Sequence, residues 1–325
     1  MPLPDLLRDR LSIPVIGAPM LLPCSPPLLI AQCINGVVGA MPALSARPAE
    51  VLDDWLAEIK ETLAAYQAKN PGVKVAPFAI NQIAHKSNSR LDRDMATVVR
   101  HQVPMVVTSL GANADIVKAV HSYGGLCFHD VASVRHAEKA LAEGVDGIVL
   151  LTAGAGGHGG TINPIAFVTE VRRFYNGPLV VAGAITTGRG IAAVRAMGAD
   201  LAYIGTRFVA SVESRAAQEH KDHIVRARTA SDVLFTPYFS GVHSSILKEC
   251  IRTFGYDPDD AKLLGKSGTK YNIDTGPGEQ DQPKMWTQLW SGGHGVGNID
   301  DVLPVAEIVR RLKAEYEDAL KELAA

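Results

Sequence analysis

No charge of one sign dominates this chain: 32 Lys and Arg stand against 34 Asp and Glu, a formal net charge of −2. That balance gives no reason to expect a nucleic acid or an anionic membrane surface as partner. Cysteine is scarce and scattered. Cys24, Cys33, Cys127 and Cys250 form no CxxC pair, which argues against a zinc cluster or disulfide scaffold and fits a reducing cytoplasm. There is no GxxxxGK[ST] loop, no complete dinucleotide fingerprint and no GxSxG elbow, so the commonest nucleotide-binding and serine-hydrolase signatures are missing. A long uninterrupted apolar run is also lacking. Residues 13–34 come nearest, but Pro14, Pro19, Pro23, Pro26 and Pro27 interrupt them, and a spanning helix does not tolerate prolines at that density. The segment also lacks the basic leader of a secretion signal. It reads as buried protein, and no membrane partner is expected.

What is present is a rhythm. With 325 residues, 47% of them hydrophobic, the chain can form one large α/β barrel with an insertion, or two domains. Apolar strand patterns fall at 15–17, 37–40, 73–81, 105–108, 125–129, 147–151, 179–182 and 201–204, with helical spacing between most of them. Eight βα alternations in about 205 residues point to a closed (β/α)8 barrel rather than an open sheet. After Phe208 the rhythm stops. Residues 211–228 look helical, 235–288 show no strand period, and 265–283 read as an extended loop. The expectation is a barrel from 1–209 plus 290–325, with a small, mainly helical insertion or lid at 210–289. A last helix over 301–323, capped by Asp300-Asp301 and started by Pro304, should pack back on the barrel.

Two strands end in glycine one crossover apart, Gly183 and Gly205. Unpaired amides at such turns bind anions, and two neighbouring strand ends suit a phosphate in the last third of a barrel. Active sites of such barrels lie at the C-terminal strand ends, and the residues there are poor in carboxylates, only Asp130 being acidic. Paired-acid glycoside chemistry and a hard-metal site are therefore disfavoured. The loop at 152–161, TAGAGGHGGT, sets five glycines around one imidazole, His158, its only titratable group. Glycine lets backbone approach a flat ligand, and imidazole can take a proton from a carbon acid or stabilise an anion. A second glycine segment at 291–297 contains His294 and could cover the same mouth. His220 and His223, with Asp222, have the spacing for a metal, although a solvated helix face is favoured; no metal is assigned. His129 and His136 read as structural or capping residues.

The most specific stretches are PVIGAPM (14–20), the 147–160 segment with its GGHGG, VAGAITTGRG (181–190), GADLAYIGTRF (198–208) and the segment 290–301. In these the chain resembles the nitronate monooxygenases, formerly 2-nitropropane dioxygenases, which are FMN-dependent (β/α)8 barrels. The likeness runs over 14–208 and resumes at Trp290. It implies that Ala18, Pro19, Met20, Asn81 and Gly157 lie against the flavin, with Met20 offering backbone near the reactive edge. It further implies that Gly183, Ala184, Gly205 and Thr206 hold the FMN phosphate, that His158 is the catalytic base on nitroalkanes, and that Ser291 and Gly292 close over the ring. The chain departs from the usual pattern at Gly17, Ala184, Thr187, Asp130 and His294. The last two alter charge in the pocket and bear on the substrate.

The leading expectation is FMN-dependent oxidation of a small nitronate or nitroalkane by O2, giving a carbonyl compound and nitrite, in a cytoplasmic enzyme that could be a homodimer. A flavoprotein of the same barrel reduced by NAD(P)H, acting on a quinone or an enoyl thioester, is the alternative. A non-catalytic barrel that binds a phosphate ligand is the reading from another class.

Overall fold

The computed structural model describes residues 3–265 and 288–325. Eight parallel strands form its centre: β1 (Val15–Gly17), β2 (Gly39–Pro42), β3 (Phe78–Ile83), β4 (Met105–Ser109), β5 (Leu126–Val131), β6 (Gly147–Leu151), β7 (Leu179–Ala182) and β8 (Leu201–Ile204). Each of β2 to β8 pairs with the strand before or after it, and β8 pairs with β1 through Val15 and Ala202. The ring is closed by a bridge from Ile16 to Val38, where Gly17 N–H donates to Val38 C=O at 2.8 Å. Seven of the strands match the expected positions to within two residues at each end. The second and third start later than their hydrophobic patterns, at Gly39 and Phe78.

The strands are largely apolar because both faces are covered, with polar residues such as Asn81, Ser109 and Asp130 toward their C-terminal ends. Alternation sends Ile148 and Leu150 outward to the helices, while Val107, Phe128, Val149, Val180, Leu201 and Tyr203 fill the barrel interior. Space inside is tight. A Cβ on Gly147 would lie 2.5 Å from the Phe128 ring, so the glycine is what admits that ring. The C-terminal helix, Val305–Ala324, packs on the helix Gly188–Ala196. Contact is so close that a Cβ on Gly188 would meet Leu312 C=O at 2.2 Å. Glu315 Oε2 accepts the Gly188 N–H at 2.6 Å, so a carboxylate already caps that helix N-terminus.

The insertion after β8 contains the helices Gln218–Arg226 and Lys248–Thr253, and gathers an apolar cluster of its own around Ile224, Ile246 and Leu263. Two details differ from the sequence expectation. Residues 211–217 are not helical, because their amides go elsewhere: Val212 N–H to Leu303 C=O at 3.0 Å and Arg215 N–H to Pro23 C=O at 2.9 Å. The insertion also carries a hairpin, Val233–Thr236 with Ser244–Leu247, where no strand period was read. Its second strand pairs with Gly157–His158, so this small sheet is tied to the barrel's glycine loop. Of the loop expected at 265–283, all but Gly265 lies outside the described residues.

Candidate active site

The C-terminal strand ends enclose a cavity of about 270 Å³. Twelve of the fourteen expected site residues are on its wall: Ala18, Pro19, Met20, Asn81, Asp130, Gly157, His158, Gly183, Ala184, Gly205, Thr206 and Ser291. The other two are not. Gly292 lies behind the wall, packed between Leu247 and Val296. His294 is exposed, and its amide is anchored to Gly154 C=O at 2.9 Å.

The two glycine turns are neighbours because β7 and β8 pair directly, Ala182 opposite Tyr203. Gly183 has φ +153°, and a Cβ there would strike Thr152 Oγ1 at 2.2 Å, so this turn needs glycine. Ala184 follows at φ +55°. Its N–H donates to Gly154 C=O at 3.1 Å, which removes it from the set of free donors. Thr206 Oγ1 accepts the Gly293 N–H at 3.0 Å, which leaves the hydroxyl's own proton to donate. With the Gly188 helix already capped by Glu315, an anion on this side is left with the Gly183 and Gly205–Thr206 turns.

The glycine loop is held from outside. Ser245 Oγ donates to Ala155 C=O at 2.7 Å, and Ser244 pairs with His158. His158 is thus fixed by a hairpin that only the fold brings to it. Burial pushes its imidazole down to about 4, so it is neutral at pH 7 and able to accept a proton. Across the wall, Asn81 Nδ2 donates to Val107 C=O at 3.0 Å and to Ser109 Oγ at 2.8 Å. Ser109 Oγ in turn donates to Asp130 Oδ2 at 2.5 Å. Burial drives the Asp130 carboxyl up to about 7 despite that bond. Met20 turns back on Cys24, its N–H donating to Sγ at 3.2 Å, while burial pushes that thiol up to about 12.

Among the wall residues that the sequence did not single out as site residues are Tyr203, His220 and Trp290. Tyr203 was missed because the reading took residues after the strands, whereas strand alternation points position 203, like 201, into the barrel. His220 and His223 are buried rather than on a solvated face. His220 Nε2 meets Ser291 C=O at 2.8 Å, and its ring stacks on Trp290 with centroids 5.7 Å apart. The i, i+3 spacing was legible, but the partner that buries it is 70 residues away. Among the described residues no cluster could hold a metal ion. His129 is structural, its Nδ1 2.7 Å from Thr108 Oγ1.

These residues fit an FMN. For a phosphate, the Gly183 and Gly205–Thr206 turns would offer backbone and the Thr206 hydroxyl. Gly154, Gly156, Gly157 and Gly293 present bare backbone for a flat ring, and where a Cβ on Gly156 would stand only 3.0 Å separates it from Gly293 N.

The class these features define is a (β/α)8-barrel flavoprotein oxidoreductase with its site at the C-terminal strand ends. The nitronate monooxygenase family model matches residues 43–315, and the chain belongs to that family. It is 27% identical to a nitronate monooxygenase of Paraburkholderia phytofirmans, over 95% of this chain and 94% of that one. To the nitronate monooxygenase of Neurospora crassa it is also 27% identical, but there the match spans 60% of the relative's length and 66% of this chain. Among solved structures, nitroalkane oxidase from Streptomyces ansochromogenes superposes with a TM-score of 0.78 at 23% identity, covering 98% of this chain and 100% of that one. FabK from Thermotoga maritima gives 0.77 at 24%, covering 98% and 97%. At these identities the two structures speak for the fold alone.

Proposed function

We propose that the protein is a nitronate monooxygenase that oxidises a small nitronate or nitroalkane with O2 to a carbonyl compound and nitrite. The observation that carries this reading is the placing of a neutral, half-buried His158 on the same cavity wall as the Gly183 and Gly205–Thr206 turns. Gly183, Gly205 and Thr206 would hold the phosphate, with Ala18, Pro19, Met20, Asn81 and Gly157 along the ring and Ser291 at its edge. Bound FMN would supply the electron acceptor that links substrate oxidation to O2. His158 takes the α-proton of a nitroalkane on an imidazole nitrogen and, once protonated, offsets the negative charge of the nitronate. The hairpin on the glycine loop holds the ring in place for that transfer.

A reductase fed by NAD(P)H would share the barrel and the flavin. What supports the oxygen-dependent reading is the imidazole of His158 on the wall, a base for a carbon acid. The test is aerobic nitrite release by FMN-loaded protein. His158→Asn should slow a neutral nitroalkane by about 10²- to 10⁴-fold and its preformed nitronate far less. Absence of nitrite from both substrates, together with anaerobic bleaching of the flavin by NADH or NADPH, would move the assignment to the reductase.

A further inference from the structure

Resting on the reaction just proposed, we infer that Asp130 and Tyr203 read the substrate's tail, admitting nitro compounds whose tail is neutral and rejecting those that carry a carboxylate. Asp130 is the one carboxylate on the described cavity wall, and no lysine or arginine lines it. Arg215, a cation on the flank, is turned onto the Trp55 ring at 5.3 Å and donates to the carbonyls of Leu22 and Ser45. A ligand carboxylate would therefore meet a like charge with nothing to balance it.

The hydrogen-bond directions define what Asp130 presents. Asn81 Nδ2 can only donate, so Ser109 Oγ accepts there and passes its own proton to Asp130 Oδ2. Any proton that Asp130 carries must then be on Oδ1, where it serves a ligand rather than the relay. Tyr203 supplies the second point. It is 7% exposed, lines the cavity, and its hydroxyl has no hydrogen-bond partner among the described residues. A buried hydroxyl left unpaired costs stability unless a ligand completes it. Together the two groups offer donors and an acceptor to an amide, hydroxyl or ester.

Among the titratable groups that line the described cavity wall, Asp130 alone changes charge between pH 6 and 8. His158 and His220 on the wall are pushed down to about 4, and Tyr203 and Cys24 behind it are raised by burial. His129, the neighbour on β5, is held by Thr108 and also pushed down to about 4.

Anaerobic calorimetry of the FMN-loaded protein with 3-nitropropanamide and 3-nitropropionate, near-isosteres differing by one charge, tests the inference. The amide should bind about tenfold or more tightly at pH 8, and the gap should narrow at pH 6, where Asp130 is protonated. Asp130→Asn, which keeps an acceptor for Ser109, should close the gap and remove its pH dependence. Tyr203→Phe should weaken the amide several-fold while leaving the Tm of the ligand-free protein unchanged or raised, since no protein partner is lost. Equal affinity for the two ligands in the native protein, no binding of either, or an unchanged gap in Asp130→Asn would overturn it. If the preference holds but neither compound yields nitrite, the recognition stands and the proposed oxidation fails.

Discussion

A single backbone angle sets the first expectation at the residue scale. Ala184 sits at φ +55°, a region that L-residues with a Cβ enter at a cost of roughly 1–2 kcal/mol. Its amide, bonded to Gly154 C=O, helps pin the Gly183–Ala184 turn to the glycine loop, so the strain is held in place by the contact it makes. Ala184→Gly should raise stability by about 1 kcal/mol in urea unfolding, with retention of FMN unchanged. Its neighbour behaves oppositely. Gly183→Ala would drive a Cβ onto Thr152 Oγ1, and gel filtration should show the variant losing FMN along with about 1–3 kcal/mol of stability. The same two positions mark the limit of motif reading: both are legible in VAGAI, yet only the tertiary structure engages one amide and closes the other turn sterically.

Between elements, the C-terminal helix and the helix Gly188–Ala196 depend on one glycine and one carboxylate. Gly188→Ala would press a methyl against the Leu312 and Tyr316 backbone, at 2.2 and 2.3 Å. Chemical denaturation should register a loss of about 1–3 kcal/mol. Glu315→Gln keeps the shape but removes the charge facing a helix N-terminus, and should cost about 0.3–1 kcal/mol, less at high salt. If both variants also released FMN, the capping of Gly188 would belong to the phosphate site after all. The hairpin Val233–Thr236/Ser244–Leu247 is the element that sequence did not reveal. Its pattern, VLFT and SSIL, shows no clear alternation because both faces are covered, by the insertion's own cluster and by the glycine loop.

Across the whole molecule, acid should unfold this protein through its buried histidines. His129, His158 and His220 are each pushed down to about 4 from an ordinary value near 6.5, so unfolding takes up protons between those limits. Stability they contribute is full above about pH 6.5 and is lost as pH falls toward 4. Asp130, pushed up to about 7, works the other way: the folded state holds its proton from about pH 4 to 7, and stability falls as pH rises through 7. Three imidazoles against one carboxyl leave a net uptake of about two protons near pH 5. The unfolding free energy should therefore drop by roughly 2–3 kcal/mol per pH unit there, measured by urea titrations from pH 6.5 to 4.5. His158→Asn should shallow that slope by about one proton.

The barrel itself was written in local order: short apolar runs repeated eight times, with helical spacing between most of them and glycine closing the last two, each signal contained in a dozen residues. GGHGG and the two terminal glycines could be named as a site for the same reason, since each carries its chemistry in its own backbone freedom. What tertiary structure alone decided were the features that depend on partners distant in the chain. His220 became a wall residue because Trp290 stacks on it, His158 was fixed by Ser244 of a hairpin 86 residues further on, and Tyr203 was turned inward by the register of β8 against β7. Burial then set the charges, leaving three imidazoles neutral and making Asp130 the group that titrates near pH 7, because desolvation belongs to a position in space and no spacing along the chain encodes it.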